Sequence, residues 1–101
     1  MIVSDLPGSA PKVIHGAEKD NVVTCCSPIS EGTCVPVGEA SVTAVQDIPI
    51  YHKMALVAIP AGQIVFKYGQ PIGIASKDIL PGQHVHVHNL ESDRGRGDRK
   101  R

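Results

Sequence analysis

Apolar residues along this chain come in short runs, each broken within a few positions by Gly, Pro or a polar pair. The runs predict strands near 12–15, 21–26, 33–37, 41–46, 55–58, 63–68, 72–75 and 83–88. The apolar residue types agree, with 12 Val and 10 Ile against 4 Leu and 2 Met. Branching at Cβ restricts χ1 and suits a pleated surface better than a helix. Any helix is limited to a single turn around 51–54. Ten Gly and eight Pro supply the turns.

One pattern recurs. Ile29-Ser-Glu-Gly32-Thr-Cys-Val35, Ile59-Pro-Ala-Gly62-Gln-Ile-Val65 and Ile79-Leu-Pro-Gly82-Gln-His-Val85 share the form I-x-x-G-x-x-V. Each reads as a strand end, a tight turn with Gly at the corner, and a new strand. Spacings of 30 and then 20 residues exclude a solenoid and point to a compact fold with similar corners. Sheets this short must fold over one another to hide their apolar faces. The expectation is an all-β, barrel-like or clip-like domain over 12–90, after a loose lead-in at 1–11 and before a charged tail at 91–101.

Composition narrows the function. A chain of 101 residues supports one small core. Mean hydropathy is −0.01, and no apolar run is long enough to span a bilayer. The first five residues lack the basic and apolar regions of a signal peptide, so a cytoplasmic protein is expected. Residues 1–90 carry five Lys, seven acidic groups and no Arg, whereas 91–101 carry five basic and three acidic groups. That Gly- and charge-rich end reads as a disordered, solubilising tail. With zero net charge, three aromatics and no basic stripe, nucleic acid is not an expected partner. Cys25, Cys26 and Cys34 form no C-x-x-C, and an odd count argues against a disulfide framework, so buried reduced thiols are expected.

The phosphate-loop, dinucleotide, nucleophile-elbow and zinc-protease motifs are all absent. What remains is histidine and lysine. His84, His86 and His88 alternate with Val85 and Val87, so an extended strand would put the three imidazoles on one face, roughly 6.6 Å apart at Cα, with the valines inward. Imidazoles at i and i+2 can converge on one Fe, Zn, Ni or Cu ion if another segment adds a ligand. They can equally bind a carboxylate, pass protons, or form the polar side of an edge strand. His52-Lys53 offers an acid or base beside a cation, and Lys67 places another cation before the corner at Gly69. Solvated turns account for both of these as well.

Taken in order, Ile48-Pro-Ile-Tyr-His-Lys-Met-Ala-Leu56, Ile59-x-x-Gly62, Val65-x-Lys67-Tyr-Gly69, Ile72-Gly73-x-Ala75, Ile79-x-x-Gly82 and Val85-His-Val-His-Asn89 closely resemble the SAF domain of the altronate/galactarate dehydratase family. His15 followed by Asp20-Asn21-Val22 extends the resemblance towards the amino end. The resemblance implies a β-clip fold and a part in dehydrating a sugar acid to a 2-keto-3-deoxy acid with Fe(II) or Mn(II). It also implies a large catalytic domain or subunit as partner, with this chain as a small subunit that is inactive alone. By the same carry-over, His52 and Lys53 are catalytic candidates, Lys67 and Asn89 substrate-binding candidates, and His86 and His88 metal ligands. His84 falls where the family varies, and the cysteines depart from its pattern. A sulfolactate sulfo-lyase small subunit resembles the chain in the same motifs. A non-catalytic carbohydrate- or protein-binding module is the reading from another class, and a homo-oligomer is compatible with all three.

Overall fold

The computed structural model describes residues 12–92, so the lead-in at 1–11 and the tail beyond Ser92 lie outside the described residues. The described residues contain nine strands and no helix: β1 (Val13–Ile14), β2 (Val22–Cys25), β3 (Cys34–Val37), β4 (Ala40–Thr43), β5 (Lys53–Ala55), β6 (Ile64–Lys67), β7 (Gln70–Ala75), β8 (His84–Val85) and β9 (Leu90–Ser92). They form an antiparallel four-stranded sheet ordered β1-β2-β5-β8, a β3-β4 hairpin and a three-stranded sheet ordered β6-β7-β9.

The all-β expectation is met, and three details differ. Residues 51–54 make no helical turn, because Tyr51 adopts φ 69° and the chain enters β5 at Lys53. The strand expected over 83–88 stops at Val85, where a turn over 86–89 takes over. Leu90–Ser92 then pairs with Gly73–Ala75 as β9, so the first residues assigned to the tail extend a sheet.

The recurring corner organises the rest. Ile29 and Ile48 exchange both backbone hydrogen bonds, at 2.9 and 2.7 Å, and Ile59 and Ile79 do the same at 2.8 and 2.9 Å. Around each pair the bonds repeat. Gly32 N–H donates to Ala44 O and Gly62 N–H to Ala75 O. Asp47 Oδ1 accepts from Glu31 N–H, and Asp78 Oδ1 from Ala61 N–H. The domain is thus built from two structurally repeated units, each a strand, a corner, a hairpin and a second corner.

The core repeats in step. One cluster contains Ile29, Val35, Ala44, Ile48 and Met54, and the other contains their counterparts Ile59, Val65, Ala75, Ile79 and Val85. Within β2, Val22 joins the second cluster and Val23 the first, as alternation along a strand requires. The counterparts lie 30 residues apart before the hairpin and 31 after it. The extra residue is taken up where β6 and β7 shift register between Val65 and Phe66.

Four corners exist where the sequence displays three. Gly32, Gly62 and Gly82 have φ of 89°, 90° and 84°, and Tyr51 stands at the fourth equivalent place, three residues after Ile48. Gly82 carries a second constraint, since a Cβ there would collide with the Thr43 carbonyl, whereas Gly62 faces open space. Gly62→Ala is therefore expected to cost about 1–2 kcal/mol from the left-handed conformation alone. Gly82→Ala is expected to cost more than that, roughly 3 kcal/mol or above, because backbone must also move. Urea unfolding of the two variants checks this, and equal losses would refute it.

Candidate functional site

A second polar frame pins the amino-terminal loop to the β6-β7 turn. Asp20 is buried, and its carboxylate accepts hydrogen bonds from the N–H groups of Gly16, Ala17, Tyr68 and Gly69 at 2.7–3.1 Å. Burial pushes its pKa up, but the four donors prevail and hold the carboxyl below its ordinary range. Next to it, Asn21 accepts from Phe66 N–H and donates to Ile64 O. These bonds fix the strand that ends at Lys67. His15 contacts the backbone at Asp20 O, away from the other histidines.

Antiparallel pairing of β5 with β8 assembles the remaining histidines. Met54 lies opposite His84 and Lys53 opposite Val85. His52 Nδ1 stands 2.8 Å from His84 Nε2, so one nitrogen donates to the other. The ring of His52 also stacks on His86 with centroids 4.0 Å apart. Nitrogens of His52, His84 and His86 all lie within 4.8 Å of one another. His88 is exposed, with its ring tilted 5.1 Å from that of His84.

The grouping differs from the one read along the strand. His86 is in the trio, His88 is outside it at the rim, and His52 and His84 complete it. The alternation of faces fails beyond Val85 because the chain turns, which leaves Val87 82% exposed. Asn89 holds that turn. It is fully buried, accepts from His86 N–H and donates to His84 O, so both ends of its amide are spent on the backbone that carries the two histidines. That geometry makes Asn89 a positioning residue with no surface for a substrate.

Lys53 and Lys67 are half-buried, and Lys53 is close enough to feel Lys67 and to act on His84 and His86. Burial, reinforced by Lys67, lowers the Lys53 pKa. Lys67 Nζ lies 5.2 Å from the ring centre of Tyr68. Lys53 is thus within electrostatic reach of the imidazoles and of Lys67, while the β5-β8 register puts it on the Val85 side of the sheet and His84 on the Met54 side.

Two of the imidazoles, His84 and His86, favour neutrality. The His84 pKa is lowered to about 4, first by burial and then by His52, His88, His86 and Lys53, and His86 is lowered for similar reasons. Neutral imidazole is the form that binds metal. Two nitrogens sharing one ion at about 2.0–2.1 Å can stand roughly 3 Å apart, close to the His52–His84 separation. His86 Nδ1 is buried with no hydrogen-bond partner. The donor set therefore fits a divalent transition metal.

The cysteines form no part of the histidine cluster. All three are free, but only Cys25 is buried, while Cys26 is half-buried and Cys34 exposed. Burial, with Cys26 alongside, pushes the Cys25 thiol up to about 11, which leaves it protonated and unreactive.

Comparison with known proteins decides the family. The altronate/galactarate dehydratase SAF domain profile matches residues 11–93. This chain belongs to that family. The SAF domain is 46% identical over 74 residues to altronate dehydratase of Escherichia coli, and 38% identical over 76 residues to that of Bacillus subtilis. Those matches cover 73% and 75% of this chain but only 15% of each relative. The (2R)-sulfolactate sulfo-lyase subunit alpha of Paracoccus pantotrophus is 45% identical over 64 residues, 60% of this chain and 96% of that subunit. Among the described residues no helix is long and apolar enough to cross a membrane.

The lowered His84 pKa has a consequence for stability. Its folded value is below its unfolded one, so the unfolded chain takes the proton first. Its contribution is present in full above about pH 6.5 and is lost as the pH falls through about 4. The urea midpoint is expected to fall across that window, and less steeply in His84→Gln. Equal slopes in the two proteins would refute it.

Proposed function

We propose that this SAF domain works with a larger catalytic chain or domain as part of a lyase that eliminates water from a sugar acid, giving a 2-keto-3-deoxy acid. The observation that carries this reading is the convergence of His52, His84 and His86, with Lys53 in electrostatic reach of them, in a domain related to altronate dehydratases. The domain corresponds to a small share of those relatives, so the larger partner is proposed to supply the remaining catalytic groups. A cytoplasmic setting belongs to the same proposal.

Elimination beside a carboxylate requires three things: a clamp for the carboxylate, a group to take the α-proton, and help for the departing hydroxyl. Lys67 is suited to the clamp as a flexible point charge. Lys53, whose pKa burial and Lys67 lower, is suited to proton transfer, because a lysine nearer neutrality exchanges protons more readily at working pH. His52, His84 and His86 would hold Fe(II) or Mn(II), with Asn89 fixing the backbone that carries two of them. When bound, such an ion supplies electrophilic assistance to the leaving oxygen. His88 lies exposed at the rim, beside His84.

A sulfo-lyase is the second reading. The specific observation favouring it is that the alignment takes in 96% of the Paracoccus subunit alpha, against 15% of each altronate dehydratase. Both relatives' names describe elimination from an acid, so the lysine clamp and proton-transfer roles carry over. The leaving group would be sulfite instead of water.

Two outcomes are expected. In histidine NMR spectra of the isolated chain, Mn(II) should broaden His52, His84 and His86 before His15. Uniform broadening would remove the metal assignment. In the assembled enzyme acting on altronate, Lys53→Gln should lower kcat by about 10²-fold or more, and Lys67→Gln should mainly raise KM. The isolated chain should show no turnover. Robust turnover by it would overturn the subunit reading, and turnover of sulfolactate in place of altronate would select the second one.

A further inference from the structure

Only two non-glycine residues among those described adopt left-handed backbone, Tyr51 at φ 69° and Tyr68 at φ 56°. Side chains other than Gly, Asn and Asp rarely accept this region, so each needs a reason. Tyr68 has one inside the domain. Its N–H donates to buried Asp20, and its ring fills the space that a Cβ on Gly16 would need.

Tyr51 has none. It is 72% exposed, its ring stacks on no other, and no hydrogen bond to its hydroxyl exists among the described residues. Its backbone does what the corner needs, with N–H donating to Cys25 O at 2.6 Å. The three equivalent corners all use Gly, and at Gly32 and Gly62 the space beyond the backbone is open. The fold therefore asks for Gly at 51, and the chain carries an aromatic residue in strained backbone there instead. Tyr51 immediately precedes His52 in the chain, in the corner that leads into β5 and Lys53.

We propose that Tyr51 is a specificity-determining residue whose ring forms the wall of the site against which the carbon chain of a longer sugar acid lies. This rests on the proposed function above. An aromatic face packs against the C–H groups of a polyol chain, and the phenol can hydrogen-bond a hydroxyl. A three-carbon acid has the carboxylate and the reacting carbons but no chain to reach the ring. Tyr51 thus selects for length, while the lysines and imidazoles serve the end common to all such substrates.

The test uses the assembled enzyme with Tyr51→Gly and Tyr51→Phe. Tyr51→Gly is expected to raise KM for altronate about tenfold, the scale of lost apolar contacts in a pocket, and to leave Ki for glycerate, a three-carbon competitor, unchanged. Tyr51→Phe should keep KM within a few-fold. The melting temperature of Tyr51→Gly should equal or exceed that of the wild type, because the strain is relieved. A lower melting temperature, an unchanged KM, or equal weakening of altronate and glycerate would overturn the proposal. So would loss of co-elution with the larger chain, which would make the ring a docking contact. A wild-type enzyme that turns over no sugar acid would instead sink the proposed function, and this inference with it.

Discussion

Everything in this domain hangs on the doubly hydrogen-bonded isoleucine pairs, Ile29 with Ile48 and Ile59 with Ile79. Strands of two to six residues cannot bury an apolar face alone. Each pair brings two corners together, buries both side chains and sends the following strands in fixed directions. Because the chain leaves each corner three residues later through left-handed backbone, that position is closed to most side chains. Hairpins, sheets and the β5-β8 seam all inherit their placement from this arrangement.

The candidate site lies at that seam. His52 and Lys53 arrive from the Ile48 corner, and His84 and His86 from the Ile79 corner. Neither corner alone carries a complete set of groups. The site is therefore a product of the two units meeting, held by β5-β8 pairing below and by the Asn89-locked turn above.

Much of the fold was legible in the residues, and the limits were physical. Gly32, Gly62 and Gly82 marked three corners because the backbone there excludes other residues, and Val- and Ile-rich runs marked strands. The fourth corner was hidden because Tyr51 occupies a glycine's place, although Ile48 and Met54 kept the spacing of Ile29 and Val35. Glu91 and Ser92 read as tail, since charge and polarity are no obstacle on a sheet edge. For the site, His52, Lys53, Lys67 and His86 were identifiable as chemistry. Their grouping with His84 was not, because it depends on strand pairing over 32 positions. Asn89 beside histidines looks like a ligand contact until its burial shows that it serves the backbone.

A repeated architecture also creates an ambiguity that the chain must resolve while folding. The corner at Ile29 presents the same backbone hydrogen-bonding pattern as the one at Ile59, so that pattern alone does not tell Ile79 which of the two to dock on. The additional residue in β7 removes that freedom. It sets the return leg of the second unit out of step by one position, and in a sheet one position exchanges the inward and outward faces. Docked on Ile29, the second unit would keep Ala75 in the place of Ala44, but Gln70 and Pro71, on the far side of the extra residue, would fall one position out of step with β3. The bulge at Val65/Phe66 thus acts as a key that tells one half of the molecule from the other.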